Sequence, residues 1–365
     1  MSKYRIIALL GRRDQPTDAV EEYCRYLGDA LLAHYYDLKI ERVDWAERGW
    51  TVALRSLRRQ ARGWRGEWVL VQYTALAWSV RGFPLRFLRA LKTLHAAGVR
   101  VGVVYHDMEP YGGTRVVDRL RRHTQLRTMR EALRISEAAV FTVPTEKLSW
   151  VRVQPRNAFF IPVGANLPAS GKASSRQRTS PEGKLSVAVF GITEGTAGRK
   201  EVENIVDAVR FAASRLKNLQ LVVLGRNSHT AEAEFRKALS NSAIEIQVLG
   251  ILSAEEVART LSSSDVLLFV RGHISTRRSS AIAGIACGLP VVAFEGPETA
   301  PPITEAGLAL YSPQKKGDLG DVLVRVLTDE HYRASLEQRS WLAQAEYFSW
   351  RAIAERYSKF LQKVE

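Results

Sequence analysis

The apolar positions of the chain fall into short continuous runs separated by stripes of helical period. Arg5–Leu10 (RIIALL) is an apolar run of buried-strand type, closed by the loop Gly11–Thr17. Apolar or small residues then recur at Val20, Tyr23, Cys24, Leu27, Ala30 and Leu31, as on one face of an amphipathic helix. Further strands are predicted at Lys39–Val43, Trp68–Gln72, Val99–Val104, Ala138–Val143 and Ala158–Ile161. Strands alternating with helices make βαβ units and a mainly parallel sheet. Pro168–Lys184 has no apolar period and is rich in Ser, Gly, Pro and basic residues, the composition of an exposed linker. The alternation resumes with Leu185–Phe190, Leu219–Leu224, Ile244–Val248, Val266–Val270 and Pro290–Phe294, and Ser349–Val364 reads as a final helix.

The pattern predicts an α/β fold: two Rossmann-like, doubly wound domains facing each other across a cleft. Residues 1–167 form the first, 168–184 a linker, 185–347 the second and 348–365 a terminal helix. A length of 365 residues suits two domains. With 46% hydrophobic and 25% charged residues, a disordered or fibrous chain is excluded. Two cysteines, Cys24 and Cys287, cannot build a disulfide framework. Together with the absence of a secretory signal they lead us to expect a cytoplasmic protein. No apolar run approaches the ~18 residues of a membrane span.

Charge changes this picture. The formal net charge is +15, and residues 1–168 carry +12 of it along with six of the eight tryptophans. That asymmetry points to an anionic partner: nucleic acid, phospholipid headgroups or a phosphorylated substrate. Trp50–Trp68 interleaves Val52, Leu54 and Leu57 with Arg55, Arg58, Arg59, Arg62 and Arg65, and Trp64 lies among them. Such a basic amphipathic segment can rest on an anionic membrane surface, and Arg115–Arg134 has the same sign. Ordinary surface helices are the other reading. Nucleic acid is not expected, because no recognition-helix or RNA-binding signature accompanies the charge.

Three stretches can carry chemistry. Gly191–Lys200 (GITEGTAGRK) lies between a strand and a helix expected from Glu201. Its Gly191 and Gly195 permit tight turns that free backbone N–H groups, and Arg199 and Lys200 add cations for a phosphate. Arg271–Gly288 (RGHISTRRSSAIAGIACG) combines Arg271, Arg277 and Arg278 with the hydroxyls of Ser275, Ser279 and Ser280, next to a small-residue helix from about Ser279. Guanidinium forks at a helix start suit a diphosphate. Finally, His106 and Asp107 follow Val99–Val104, at the end of the sheet where α/β folds keep their chemistry. Neighbours on an extended chain point to opposite sides, so these two are not expected to pair with each other. Histidine and cysteine spacings match no metal-site pattern.

Taken in order, these stretches resemble a GT-B glycosyltransferase of the retaining family 4 (glycosyl transferases group 1). Leu185–Lys200 resembles the family's strand and glycine loop, and Leu219–Arg226 (LQLVVLGR) its next strand with a turn at Gly225 and Arg226. Val248–Val270, Ala286–Ala293 (ACGLPVVA) and Phe348–Trp350 with Tyr357 resemble later segments, the last being a helix that crosses back to the first domain. In the first half, Val71–Tyr73, Tyr105–Asp107 and Ile161–Leu167 (IPVGANL) sit where the family has similar short motifs.

The resemblance implies transfer of a hexosyl-type sugar from a nucleotide-sugar donor to a glycan or lipid-linked acceptor, as in polysaccharide biosynthesis. No cofactor or metal is expected, the nucleotide-sugar being a co-substrate. His106, and with it Asp107, would face the donor sugar and acceptor. The membrane stretch would place the protein on the periphery of the inner membrane face. One departure stands out. The family's two glutamates, the first on the donor sugar and the second on the ribose, fall at Ser275 and Ala283 here, and the Arg usual after the first loop glycine is Ile192. The arginines would then carry more of the donor. The alternative is a non-catalytic partner subunit or nucleotide-sugar-binding protein.

Overall fold

The computed structural model describes residues 4–151, 157–168, 184–312 and 317–363. The chain forms two compact units, Met1–Pro162 together with Trp350–Glu365, and Val163–Ser349. The predicted linker lies almost wholly outside the described residues.

In the first unit the strands are β1 (Tyr4–Leu10), β2 (Tyr36–Arg42), β3 (Trp68–Tyr73), β4 (Arg100–Tyr105), β5 (Ala138–Phe141) and β6 (Ala158–Phe160). The helices are α1 (Ala19–Leu31), α2 (Trp45–Arg48), α3 (Trp50–Ala61), α4 (Ala75–Trp78), α5 (Phe87–Ala96) and α6 (Val116–Ile135). The second unit has β7 (Leu185–Phe190), β8 (Leu219–Leu224), β9 (Ile244–Gly250), β10 (Val266–His273), β11 (Val291–Phe294) and β12 (Leu308–Tyr311). Its helices are α7 (Gly195–Ala213), α8 (Ser228–Ala238), α9 (Ala254–Ser263), α10 (Ser279–Ala286), α11 (Leu319–Thr328) and α12 (Glu330–Ala343). Finally α13 (Trp350–Lys363) rejoins the first unit.

Every paired strand runs parallel to its neighbour. A parallel sheet covered on both faces is apolar along its length, which is why these strands read as continuous runs. Ile7, Leu9, Val69, Val71, Val101 and Val103 belong to one core, and Val187, Val189, Leu221, Val223, Leu268 and Val292 to the other. The sheet orders are β2-β1-β3-β4-β5-β6 and β12-β11-β10-β7-β8-β9. The strand order therefore reverses between β1 and β3 in the first sheet and between β7 and β10 in the second. At such a switch point the outgoing loops diverge and leave a crevice at the carboxyl ends of the strands.

Helix α13 is held inside the first unit. The Tyr23 and Tyr357 hydroxyls hydrogen-bond each other at 2.9 Å in a buried setting, Trp350 stacks on Tyr26, and Phe360 packs on Trp68 and Phe159. The strand β12 was absent from the sequence reading, since four residues after a glycine leave no period to recognise.

Candidate active site

The switch point of the first sheet holds a cavity of about 250 Å³. Gly11 and Arg12 follow β1 and form one wall, Gln72 and Thr74 at the end of β3 another, and Asp18, Arg42 and Asp107 complete it. Gly11 must be glycine, because a Cβ there would lie 2.3 Å from the Ala77 carbonyl oxygen. The Arg12 N–H donates to that same oxygen at 2.7 Å, so the β1 loop is clamped to α4. Most charges here are matched. Arg42 donates to the Gly11 carbonyl (2.7 Å), to Asp18 (3.1 Å) and to Glu21 (2.8 Å). Asp18 also caps α1 through the N–H groups of Val20 and Glu21. The exception is Arg12, whose Nε is buried without a hydrogen-bond partner.

His106 and Asp107 take different tasks, as their opposed directions predicted. The Gln72 side-chain amide nitrogen donates to the Leu70 carbonyl at 3.1 Å, which turns its oxygen toward His106 Nε2 at 2.8 Å. The ring proton therefore sits on Nε2 and the Nδ1 lone pair is left to accept. Tyr23 meets the imidazole edge-on at 5.2 Å. Burial lowers the His106 pKa to about 4, against the opposing pull of Asp18, so the ring is neutral near pH 7. Asp107 accepts the Ala75 N–H at 2.6 Å and so fixes α4, while still lining the cavity. Gln72, rather than His106, forms the wall.

The second switch point gathers arginines. Arg271, expected just past its strand, lies within β10, which continues to His273 through a register shift after Phe269. Its side chain points at Gly191: a Cβ on that glycine would stand 3.0 Å from Arg271 Nη1. Arg271 Nε is buried without a partner. Burial pushes the Arg271 pKa down, Glu201 opposes, and Arg226 at the end of β8 pushes it further down. Arg278, the residue before α10, is lowered to about 10 by burial and by Arg277, with Arg271 adding to it and Glu298 opposing. Its Nε donates to the His273 carbonyl at 3.2 Å. Gly272, with φ of +72°, passes close to Arg278 Nη2. Cations that depress one another in a half-buried crevice are poised for an anion.

The structure corrects four expectations here. Arg277 is not free: its Nε and Nη2 donate to Glu298 at 2.7 and 2.9 Å. Burial raises the Glu298 carboxyl, but Arg277, Ser275 and Arg278 overcome that and hold it below its ordinary value. The N–H groups after β7 are not free either. Gly191 donates to Leu224, Ile192 to Arg226 and Thr193 to Glu201. Gly191 therefore serves by lacking a side chain. Third, α7 begins at Gly195, six residues before the expected Glu201, because Gly198 lets the helix close over the Thr193 carbonyl. Arg199 and Lys200 are thus exposed on its second turn. Fourth, Trp64 is only 7% exposed and packs with Leu57 and Ala61 in the core, so it cannot meet a membrane.

The remaining expected residues fall as follows. Gly225 is buried, with φ of +86°, and its N–H donates to the Gly250 carbonyl. Ser275 is fully buried, whereas Ser279 and Ser280 are half-buried at the start of α10. Arg55, Arg58, Arg59, Arg62 and Arg65 are exposed on and after α3. Arg12, Gln72, Glu201 and Glu298 were missed. The pair Gly11-Arg12 directly after an apolar run was the available signal for the first; the carboxylates carry none in sequence.

Residues 188–329 match the family model for glycosyl transferases group 1. Over nearly its whole length the chain is similar to solved structures. Sucrose-phosphate synthase from Thermosynechococcus elongatus is 17% identical, with a TM-score of 0.69 and 99% of each chain covered. Anabaena Alr3699/HepE in complex with UDP and glucose is 12% identical, with a TM-score of 0.68, over 99% of this chain and 100% of that one. The fold is GT-B. Among curated proteins, a GDP-mannose-dependent monoacylated alpha-(1-6)-phosphatidylinositol monomannoside mannosyltransferase from Corynebacterium glutamicum is 22% identical over 215 residues. That match spans 55% of this chain and 55% of the relative, about half the length of each. The group 1 match covers β8–β12 and α7–α11 with all four clustered arginines, Arg226, Arg271, Arg277 and Arg278.

Proposed function

We propose that this GT-B protein moves a hexosyl sugar from a nucleoside-diphosphate sugar to a hydroxyl of a glycan or lipid-linked acceptor, with retention at the anomeric carbon. The observation that carries the reading is Arg271 at the second switch point, its Nε buried without a hydrogen-bond partner and its guanidinium directed at Gly191, with Arg278 near it. In the transfer, the bond from the anomeric carbon to the diphosphate oxygen breaks and a bond to the acceptor oxygen forms. The acceptor proton leaves with the departing diphosphate. Fixed cations oriented before the reaction stabilise charge growing on that oxygen without reorganising. Arginine supplies this charge in the present reading, and no metal is called for. Neutral His106 would accept a hydrogen bond from a sugar or acceptor hydroxyl through Nδ1, and Arg12 would donate to the acceptor. Similarity to a GDP-mannose-dependent mannosyltransferase and to a protein solved with UDP and glucose supports a nucleotide-linked donor.

An acceptor at an anionic membrane face is part of the same proposal, at a different place from the Trp50–Trp68 stretch. Val116, Val117 and Leu120 of α6 are 74%, 46% and 59% exposed, and Arg115, Arg119 and Arg122 interleave them. These residues begin α6, on the carboxyl side of the sheet, where Leu76 is also exposed and lines the cavity. Among the described residues no helix is long and apolar enough to cross a membrane. The test is nucleotide release from UDP-, GDP- and ADP-sugars, with and without membrane extract and with EDTA. Release that EDTA leaves unchanged is expected. Tight nucleotide binding with no release under every condition would sink the reading.

A further inference from the structure

A second concentration of cations lies in the first unit. It sits at the opposite edge of the sheet from His106 and Gln72. The C-terminal halves of α3 and α5 lead into the amino ends of β3 and β4, and between them opens a cleft of about 790 Å³. Arg58, Arg62 and Arg65 line it from the α3 side, and Arg89, Lys92 and Thr93 from α5. The floor is small and apolar, made by Leu54, Ala96 and Ala97.

Three features separate this cleft from a merely basic surface. None of its five cations has an ion-pair partner among the described residues, and no carboxylate lines it. Glu67, the nearest acid in sequence, accepts from Nε and Nη2 of Arg5, each at 2.6 Å. The two walls are fixed to each other: the Gly66 N–H donates to the Gly98 carbonyl at 2.9 Å. Gly98, with φ of +74°, also leaves room for the Arg65 stem, whose Cγ would stand 3.3 Å from a Cβ there. The volume lies within the roughly 300–1,000 Å³ of small-molecule sites. Five like charges held in a concavity repel one another, and an oxyanion with several charges relieves that repulsion.

We infer that this cleft binds the phosphate groups of a multiply charged phosphate ester or diphosphate. The inference does not rest on the transfer reading, since the cleft lies at the amino end of the first sheet and is lined by neither His106, Gln72 nor the arginines of the second unit. The phosphate can belong to a soluble metabolite or to a lipid headgroup. No large exposed apolar side chain lines the cleft, which sets it apart from the α6 rim.

The experiment titrates inorganic pyrophosphate into the full chain by calorimetry. It uses three charge-matched pairs: Arg62→Gln with Arg89→Gln in the cleft, Arg271→Gln with Arg278→Gln in the second unit, and Arg119→Gln with Arg122→Gln on α6. Pyrophosphate binding that survives the Arg271/Arg278 pair should weaken about tenfold or more when the cleft pair is added, as expected for losing charge-assisted bonds. The α6 pair should leave it unchanged. Cosedimentation with phosphatidylcholine vesicles containing phosphatidylglycerol identifies the source. Retention by the cleft pair assigns a soluble phosphate, and loss alongside weakened pyrophosphate binding assigns headgroups as well. Unchanged pyrophosphate affinity in the cleft pair, or equal weakening by the α6 pair, would overturn the inference.

Discussion

At the switch point of the first sheet the charges are largely matched, while at that of the second they are left over. Both crevices come from the same topological event, a reversal of strand order in a parallel sheet. In the first, Arg42 is satisfied by Asp18 and Glu21, Asp107 is tied to α4, and His106 is neutral. In the second, Arg271 and Arg278 are depressed by burial and by neighbouring cations, while Arg277 is paired with Glu298. A matched, neutral crevice suits hydroxyl groups, and an unmatched cationic one suits a diphosphate. The folds are alike; what separates the two crevices is where carboxylates were placed.

The largest effect should come from removing the unmatched cations. Arg271→Ala with Arg278→Ala should weaken nucleoside-diphosphate binding by about 1.5–3 kcal/mol for each charge-assisted bond lost. Gln72→Leu in the other crevice should leave that affinity unchanged in the same calorimetry. Equal losses from both changes would break the comparison.

The neutrality of His106 sharpens it from the other side. Its folded pKa is depressed to about 4 from 6.5, so between these values the unfolded chain binds a proton that the folded chain does not. Stability should therefore fall as pH drops through this window, by about 1.4 kcal/mol per unit from this group alone. Urea unfolding of His106→Gln across the same window should show a shallower fall than the wild type. Parallel curves would mean that the imidazole titrates alike in the folded and unfolded chain.

The smallest effect separates a structural arginine from a ligand-holding one. Arg277→Gln leaves the largely buried Glu298 without its bidentate partner and should lower stability by about 1–2 kcal/mol. Nucleotide affinity should stay close to wild type. A large loss of affinity without a loss of stability would return Arg277 to the binding group.

The strands of both sheets were legible because a parallel strand buried on both faces must be apolar throughout; Leu185–Phe190 and Leu219–Leu224 were placed to the residue. Burial and hydrophobic period are local in sequence, and so is the glycine that ends a strand, as at Gly191 and Gly225. Which charges cancel is not local. Glu298 reaches Arg277 from 21 residues away, Gln72 reaches His106 across 34, and Arg89 joins Arg62 only because α3 packs on α5. Sequence alone therefore determined the two α/β units, the strand-end loops and the basic excess of the first half. Only the tertiary structure decided which arginines are neutralised, which proton His106 carries and where the free cations converge, because electrostatic energy depends on distances that packing alone sets.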